Sequence, residues 1–357
     1  MTPERYIRQT ILKEFGPEAQ QKLTQSKVLV VGAGGLGAPV LTYLNAMGVG
    51  TLGIVDSDVV SLSNLHRQVL YNESDLGSPK VTITAEKLKS QNSDTTIITY
   101  EMDLVVGNAL ELLVPYDLII DASDNFPTRY LVNDACVILN KPFIYGALHG
   151  FEGQVSTFNY QGGPTYRCLF PNMPEAHEVP NCNEHGVLGI LPGIVGNLQA
   201  LEAVKVLTGV GEPLAGKLLL FDGLTTSFQK INFSAHPENL KPAVLQDSYD
   251  FGCNLAMQSI ESATFEALLD REKLQIVDVR TVAEYSQFHL EGSLNIPLDE
   301  LENRSDAIAV SQPVYFLCQS GVRSQKAIIA FQKHQPNATL INVTGGINKL
   351  QVYAAKY

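Results

Sequence analysis

The stretch Lys27-Val28-Leu29-Val30-Val31-Gly32-Ala33-Gly34-Gly35-Leu36-Gly37 decides the fold of the first part of the chain. A short β-branched run leads straight into a glycine turn, and an apolar helical stretch follows to about Met47. Strand, glycine turn and helix open a nucleotide-binding βαβ unit. The glycines let backbone N–H groups approach an anion at the mouth of a helix, where the dipole also favours negative charge. Thr51 to Val55 supplies a second strand that ends on Asp56. Two features alone, the loop and this acid, also describe a nicotinamide dinucleotide site in which the acid grips a ribose.

Further apolar runs at Thr95 to Tyr100, Asp117 to Ile120 and Pro142 to Tyr145 alternate with helical patterns at Lys80 to Lys89 and Pro127 to Leu139. Such alternation predicts a Rossmann-like α/β fold, a mostly parallel sheet with helices on both faces. Strand Gln154 to Tyr160, helix Ile194 to Leu207 and strand Lys217 to Phe221 close this domain, at 1–240. A stretch of mixed polarity with Pro242 and Gly252 reads as a linker over 241–257. A second, small α/β domain over 258–357 then runs through helix Ser262 to Leu269, strands Leu274 to Val279 and Val314 to Leu317, a glycine turn at Gly321 and helix Gln325 to Lys333.

The 357 residues exceed the usual size of one domain, so two are expected. A net charge of −12 argues against broad nucleic-acid binding, because phosphate neutralisation supplies most of that affinity. Met1 to Ile11 carries Glu4, Arg5 and Arg8 without an apolar centre, unlike a signal peptide. No apolar run reaches membrane-span length, so a cytoplasmic protein with no membrane partner is expected. The five cysteines, Cys136, Cys168, Cys182, Cys253 and Cys318, are odd in number and widely spread, which fits a reducing compartment better than a disulfide framework.

Cations after Asp56 separate a triphosphate site from a dinucleotide site. Arg67 and Lys80 suit the neutralisation of β and γ oxygens, and Asp124, beyond the strand at 117–120, suits Mg²⁺ held directly or through water. Arg5-Tyr6-Ile7-Arg8-Gln9, the glycine loop, Asp56, Ser63-Asn64-Leu65-His66-Arg67-Gln68, Lys80 and Asp124-Asn125 together resemble the MoeB/ThiF branch of the ubiquitin-activating enzyme superfamily, over about residues 4 to 235. The resemblance implies a homodimer that uses ATP and Mg²⁺ to adenylate the C-terminal Gly-Gly carboxylate of a ubiquitin-like sulfur carrier protein. Carried over by motif, it implies that Gly35, Asp56, Ser63, Asn64, Leu65, His66, Arg67, Lys80, Asp124 and Asn125 bind nucleotide, with Asp124 on the Mg²⁺. Arg67 also stands in the catalytic set. Arg8, otherwise a solvated terminal charge, would reach into the neighbouring subunit's site. Asp58 reads equally as a turn-forming acid or a ligand.

Cys182, in the loop Pro180-Asn181-Cys182-Asn183-Glu184-His185-Gly186, matches a cysteine of this family that takes over an activated acyl group or a sulfur linkage, and His185 is a nearby candidate base. Cys136, inside a helical run, reads as core. The family commonly holds a structural zinc with two Cys-x-x-Cys pairs. Here the two windows read Thr165-Tyr166-Arg167-Cys168 and Asp250-Phe251-Gly252-Cys253, with one cysteine each. Zinc of that kind takes four N or S ligands, so no structural zinc is expected, and packing or a Cys168 to Cys253 contact would stand in its place.

In the second domain Phe316-Leu317 ends a strand, and Cys318-Gln319-Ser320-Gly321-Val322-Arg323-Ser324 turns into a helix. That arrangement aims backbone N–H groups and a helix dipole at the sulfur, with Arg323 adding positive charge, and so suits a thiolate or a persulfide. A cysteine phosphatase is the local competitor. Together with Ile276-Val277-Asp278-Val279-Arg280, Glu284-Tyr285 and the run His289 to Pro297, the loop resembles a single-domain rhodanese over about 260 to 350. Asp278, Arg280 and His289 read as fold-organising residues. The combined expectation is adenylation of a carrier followed by sulfur transfer from a Cys318 persulfide to form a thiocarboxylate, the sulfur coming from a donor such as a cysteine desulfurase. The rivals are a nicotinamide-dependent dehydrogenase, in which Arg67, Lys80 and Cys318 would be idle, and a non-catalytic carrier-binding module.

Overall fold

The computed structural model describes residues 3–174, 186–240, 244–249, 258–269, 271–301, 304–335 and 338–350. They form two compact units, one holding the described residues up to 249 and the other those from 258 onward.

The first unit is built on an eight-stranded sheet in the order β3-β2-β1-β4-β5-β6-β7-β8. Its strands are β1 (Lys27–Val31), β2 (Thr51–Val55), β3 (Thr96–Tyr100), β4 (Leu118–Asp121), β5 (Phe143–His149), β6 (Glu152–Phe158), β7 (Lys217–Asp222) and β8 (Ser227–Asn232). Neighbours from β3 to β5 pair parallel, and β5 to β8 pair antiparallel. Along β1 the side chains alternate between two cores. Val28 and Val30 pack with Leu41, Val81, Leu88 and Val195 on one face, whereas Leu29 and Val31 pack with Leu113, Tyr130 and Ala135 on the other. Burial on both faces is why β1 reads as a continuous apolar run, and each of these side chains contributes roughly 2 kcal/mol by leaving water.

The helix Ile190–Thr208 is long and apolar enough in composition to cross a membrane, contrary to the expectation that no run reaches that length. Half of that stretch is buried inside this unit, where Leu191, Val195, Ala200, Ala203 and Val204 face the sheet and the helix Gly37–Ala46. The same stretch buries Glu202, which accepts from Thr157 Oγ1 at 3.0 Å and from the Leu214 amide at 2.7 Å.

Strand order reverses at β1 and β4, which lie side by side while the chain runs to β2 on one hand and β5 on the other. In open α/β sheets a crevice forms outside the carboxyl ends of the strands at such a point. The glycine loop after β1, Asp56 after β2 and Asp124 after β4 all emerge at that edge.

The second unit has a five-stranded, wholly parallel sheet in the order β11-β10-β12-β13-β9, from β9 (Gln258–Glu261), β10 (Gln275–Asp278), β11 (Leu294–Asn295), β12 (Val314–Leu317) and β13 (Leu340–Thr344). Again the central strand divides two cores: Phe316 and Cys318 lie with Ala327, Ile328 and Phe331 of the helix Val322–His334, and Tyr315 and Leu317 lie with Phe265, Val343 and Ile347. This parity aims Cys318 at the helix that follows it.

Candidate functional site

The glycine loop is tight because backbone and helix close on it. A Cβ on Gly37 would lie 2.0 Å from the Gly32 carbonyl oxygen, and one on Gly35 would lie 2.9 Å from Pro192 Cβ. Pro192 opens the helix Ile190–Thr208, so that helix walls the crevice; Gly189, just before it, sits against the His66 carbonyl. The loop is fixed from beneath by Asp56, which accepts from the Ala33 amide at 2.7 Å and from the Asp58 amide at 2.8 Å. Burial raises the Asp56 carboxyl above its usual range, opposed chiefly by the nearby Lys80 cation. Tyr71 braces the loop from the other side, its hydroxyl donating to the Ala33 carbonyl at 2.7 Å.

Residues Leu62–Asn64 form a 3₁₀ turn, continued by Gln68 N donating to Asn64 O at 2.9 Å. The turn presents Ser63 and His66 to solvent and leaves Asn64, Leu65 and Arg67 half-buried. Arg67 Nη1 donates to the Ser63 carbonyl at 3.1 Å, and His66 Nδ1 lies 3.0 Å from the same oxygen. Lys80, at the start of the helix Lys80–Gln91, is buried, and its Nζ reaches Asp58 Oδ2 at 2.7 Å. Asp58, open in the sequence between turn residue and ligand, is the ion-pair partner of Lys80 in this state.

Asp124 and Asn125 are exposed in the loop after β4, which abuts Gly32 through Ala122. Asn125 Oδ1 caps the helix Phe126–Ile138 by accepting from the Thr128 amide at 2.9 Å, so part of its role is structural. Two neighbours were not singled out from sequence. Asp121 is wholly buried; Ser123 bonds its Oδ1, while Oδ2 has no hydrogen-bond partner among the described residues. Arg129 is also buried, lies over the Phe126 and Tyr145 rings at 5.2 and 5.6 Å, and has an Nε without a hydrogen-bond partner among the described residues. An Asp spaced three before Asp124 on an apolar strand was the available signal.

Arg8 is not brought to this crevice within one chain. Its neighbours Arg5 and Gln9 bond the carbonyls of Gln91 and Met47. Met47 follows the helix Gly37–Ala46, whose ten residues span about 15 Å from the glycine loop.

Cys182 and His185 lie outside the described residues, as do Asp250 and Cys253. Cys136 is fully buried, and desolvation pushes its thiol well above the ordinary value, as suits a core residue. At the first of the two windows, Cys168 Sγ accepts from the His236 amide at 3.3 Å and from the Thr165 amide at 3.4 Å. Next to it Arg167 grips Asp134 through Nε at 2.7 Å and Nη2 at 2.8 Å, and the Tyr249 hydroxyl donates to the same carboxylate at 2.7 Å. Asp134 thus ties together two segments that flank the windows. Among the described residues no cluster of three or more His, Cys, Asp or Glu could hold a metal.

In the second unit Cys318 is fully buried and its sulfur accepts from the Gly321 amide at 3.1 Å. Ser324 Oγ lies 3.4 Å from the sulfur. Gly321 has a φ of +89°, and a Cβ on Gly346 would lie 2.3 Å from the Cys318 carbonyl, so the loop rests directly on the Gly345-Gly346 turn. Ile347 N closes that seat by donating to Cys318 O at 2.9 Å.

Arg323, expected to add positive charge at the sulfur, stands in the first turn of the helix behind the loop. Its guanidinium forms a two-pronged pair with Glu284, at 2.7 and 2.6 Å. The reason is a carboxylate already in place: Glu284 is the third residue of a capping box with Thr281 at the head of the helix Val282–Gln287. A Thr-x-x-Glu pattern before a helix was the signal in the sequence. Arg323 and the Thr281 donors hold the Glu284 carboxyl down at about 2. Asp278 and Arg280 form a buried two-pronged pair, Arg280 Nη1 reaches Gln319 Oε1 at 3.2 Å, and His289 stacks on Tyr285 at 4.2 Å, all in the fold-organising roles expected of them.

Comparison with known proteins matches these two units separately. The ThiF family model covers residues 6–243 and the rhodanese-like domain model covers 261–352. Over 239 residues the chain is 53% identical to a sulfur carrier protein adenylyltransferase of Thermus thermophilus, covering 66% of this chain and 88% of that protein. It is 40% identical over 362 residues to the adenylyltransferase and sulfurtransferase MOCS3 of Arabidopsis thaliana, covering 91% of this chain and 78% of that protein. A crystal structure of E. coli MccB with ATP shares the fold at TM-score 0.58 and 24% identity, over 65% of this chain and 72% of that one. The chain belongs to the ThiF family and carries a rhodanese-like domain behind its ThiF domain.

Proposed function

We propose that this chain is an adenylyltransferase and sulfurtransferase: it uses ATP to adenylate the C-terminal Gly-Gly carboxylate of a ubiquitin-like sulfur carrier, then transfers sulfur from a persulfide on Cys318 to leave a thiocarboxylate. The observation that carries the proposal is the pairing, in one chain, of a glycine-lined crevice flanked by Arg67 and Lys80 with a separate loop whose amide points at a buried thiol sulfur. The relatives with both activities in their names span both units.

The residues present fit a nucleoside triphosphate. A side chain at Gly35 would fill the cradle, Lys80 is a desolvated cation, and Asp58 can release it to an incoming phosphate because Asp58 itself faces water, its side chain 70% exposed. ATP supplies the leaving group that turns a poor electrophile into a mixed anhydride. Asp56 orients the glycine loop and the ribose end, Ser63, Asn64, Leu65 and His66 line the turn beside it, Arg67 and Lys80 stabilise departing pyrophosphate, and Asp124 would hold the Mg²⁺ that accompanies ATP, with Asn125 beside it at the nucleotide. Arg8 serves the crevice of a second copy of the chain in a homodimer, a reading supported by the distance of its own crevice at the far end of a helix. Cys182 receives the activated acyl group or resolves the sulfur linkage. The sulfur donor is a persulfide carrier of the cysteine desulfurase type, and the setting is cytoplasmic.

Pyrophosphate exchange into ATP, run with a Gly-Gly-tailed carrier and with Asp124→Ala, tests the first half. Exchange should depend on carrier and collapse in the variant; no exchange with any carrier defeats it. Thiosulfate-to-cyanide sulfur transfer should vanish in Cys318→Ser, and persistence of that activity overturns the assignment of the sulfur site.

A further inference from the structure

Asp121 closes β4 at zero exposure, behind the equally buried Ile119 and Ile120, where an apolar residue would end the strand at less cost. A carboxyl group taken out of water costs free energy unless it is well bonded. Its Oδ1 accepts from both the amide and the hydroxyl of Ser123, at 3.0 and 2.6 Å, while Oδ2 has no hydrogen-bond partner among the described residues. Both bonds therefore go to one residue, and that residue directly precedes Asp124. The remaining polar group of Ser123, its carbonyl oxygen, accepts from Nη2 of the buried Arg129 at 3.4 Å. Asp121 is itself anchored, because Gln199 Nε2 in the helix Ile190–Thr208 donates to its carbonyl oxygen at 2.7 Å. Ala122 N donates to Val31 O at 2.9 Å, and Asn125 is tied to the helix that it caps. Asp124 is thus left exposed on a backbone that is fixed on both sides.

We propose that Asp121 is a positioning residue for the nucleotide site: by gripping Ser123 it sets the backbone from which Asp124 meets the Mg²⁺ that accompanies ATP. The inference rests on the assignment of Asp124 to Mg²⁺ proposed above. Asp121 acts through Ser123, as a hydrogen-bond acceptor, and the grip needs an oxygen at the Oδ1 position rather than a charge. Groups that orient a metal ligand typically contribute about ten- to a hundredfold to metal affinity, since a ligand held in place beforehand need not be ordered as the metal binds. A carboxyl group with one oxygen unbonded is a poor device for stability alone, and its place behind the crevice gives it this other use.

ATP binding to the full chain is measured by calorimetry once with Mg²⁺ and once with EDTA, with thermal unfolding in parallel. The readout is the ratio of the two dissociation constants, which a general loosening of the crevice leaves in place because it weakens both. Wild type should bind ATP more tightly with Mg²⁺, and Asp124→Ala should bring the ratio close to one. Asp121→Ala should lower the ratio about tenfold, or to the value of Asp124→Ala where that is reached first, with the affinity in EDTA unchanged. Asp121→Asn, which keeps an oxygen for Ser123 to bond, should restore the wild-type ratio. An Asp121→Ala chain that keeps the ratio while both affinities and the melting temperature fall shows a structural carboxyl group and overturns the proposal, as does an Asp121→Asn chain that loses as much as Asp121→Ala. If Asp121→Ala does not fold, Ser123→Ala, which removes the 2.6 Å bond alone, decides by the same ratio: a fall supports the grip and a wild-type value overturns it. A wild-type ratio retained in Asp124→Ala would instead refute the assignment of Asp124 to Mg²⁺, and the inference with it.

Discussion

Lys80→Met separates the chemistry of the first site from its stability. The lysine side chain is 4% exposed and its ammonium pairs with Asp58, whose own side chain is 70% exposed. Methionine keeps most of the apolar stem in place, and Asp58 is left facing water, so the lost pair costs stability on the order of 1 kcal/mol or less. Asp56 loses the cation that opposes its burial, so its carboxyl moves higher still. The catalytic loss is larger. A preorganised, desolvated charge at developing negative charge is worth roughly 3 to 4 kcal/mol in mutational data, or a hundred- to a thousandfold in rate. Pyrophosphate exchange with a Gly-Gly-tailed carrier should therefore fall by roughly that factor while thermal unfolding stays within a few degrees of wild type. Exchange within about threefold of wild type in a folded variant would remove Lys80 from the nucleotide site. A collapse of stability matching the loss of rate would make it a structural lysine.

Glu284 gives the rhodanese-like unit a pH signature. Its folded-state value near 2 lies below the ordinary 4.5, so its pair with Arg323 stabilises above 4.5 and that contribution is lost as pH falls toward 2. Being partly exposed, the pair is worth about 1 kcal/mol after screening, and Glu284→Gln should lower the unfolding midpoint more at pH 7 than at pH 3, where part of the contribution is already lost; an equal effect at both pH values contradicts it. Asp134→Asn breaks a largely buried pair and weakens the Tyr249 contact. It should destabilise the first unit by about 3 kcal/mol in urea titration, and a loss under 1 kcal/mol would show that Arg167 and Tyr249 do not staple the windows. In Gly37→Ala, a Cβ 2.0 Å from the Gly32 carbonyl forces the loop open, so ATP binding by calorimetry should disappear; unchanged affinity would show that the loop does not cradle phosphate.

Elements buried on both sides were legible in the sequence. β1, β2 and β12 lie where expected because an apolar run on a two-sided parallel sheet has few other readings. β8 was not legible. Ser227–Asn232 sits at the sheet edge with nearly every residue exposed, including Phe228 and Ile231, so burial leaves no alternating pattern to find. The helix Gly16–Gln25 starts on Gly16-Pro17 and buries only Ala19, Gln20 and Leu23, too narrow a stripe to stand out. At the sites, motif spacing identified which residues border the crevice but not how their charges are committed. That Lys80 is held by Asp58, that Arg323 is held by Glu284, and that Ser324 bridges Cys318 to Asn342 are contacts between segments 22, 39 and 18 residues apart, set by strand order rather than by local pattern.

The most direct measurement of the central claim is the intact mass of a Gly-Gly-tailed carrier after incubation with the full chain, ATP, Mg²⁺ and thiosulfate. One oxygen of its terminal carboxylate should be replaced by sulfur, only when ATP is present, and not with Lys80→Met or Cys318→Ser. A carrier left unchanged under all conditions, or sulfurated equally well by Cys318→Ser, would contradict the account.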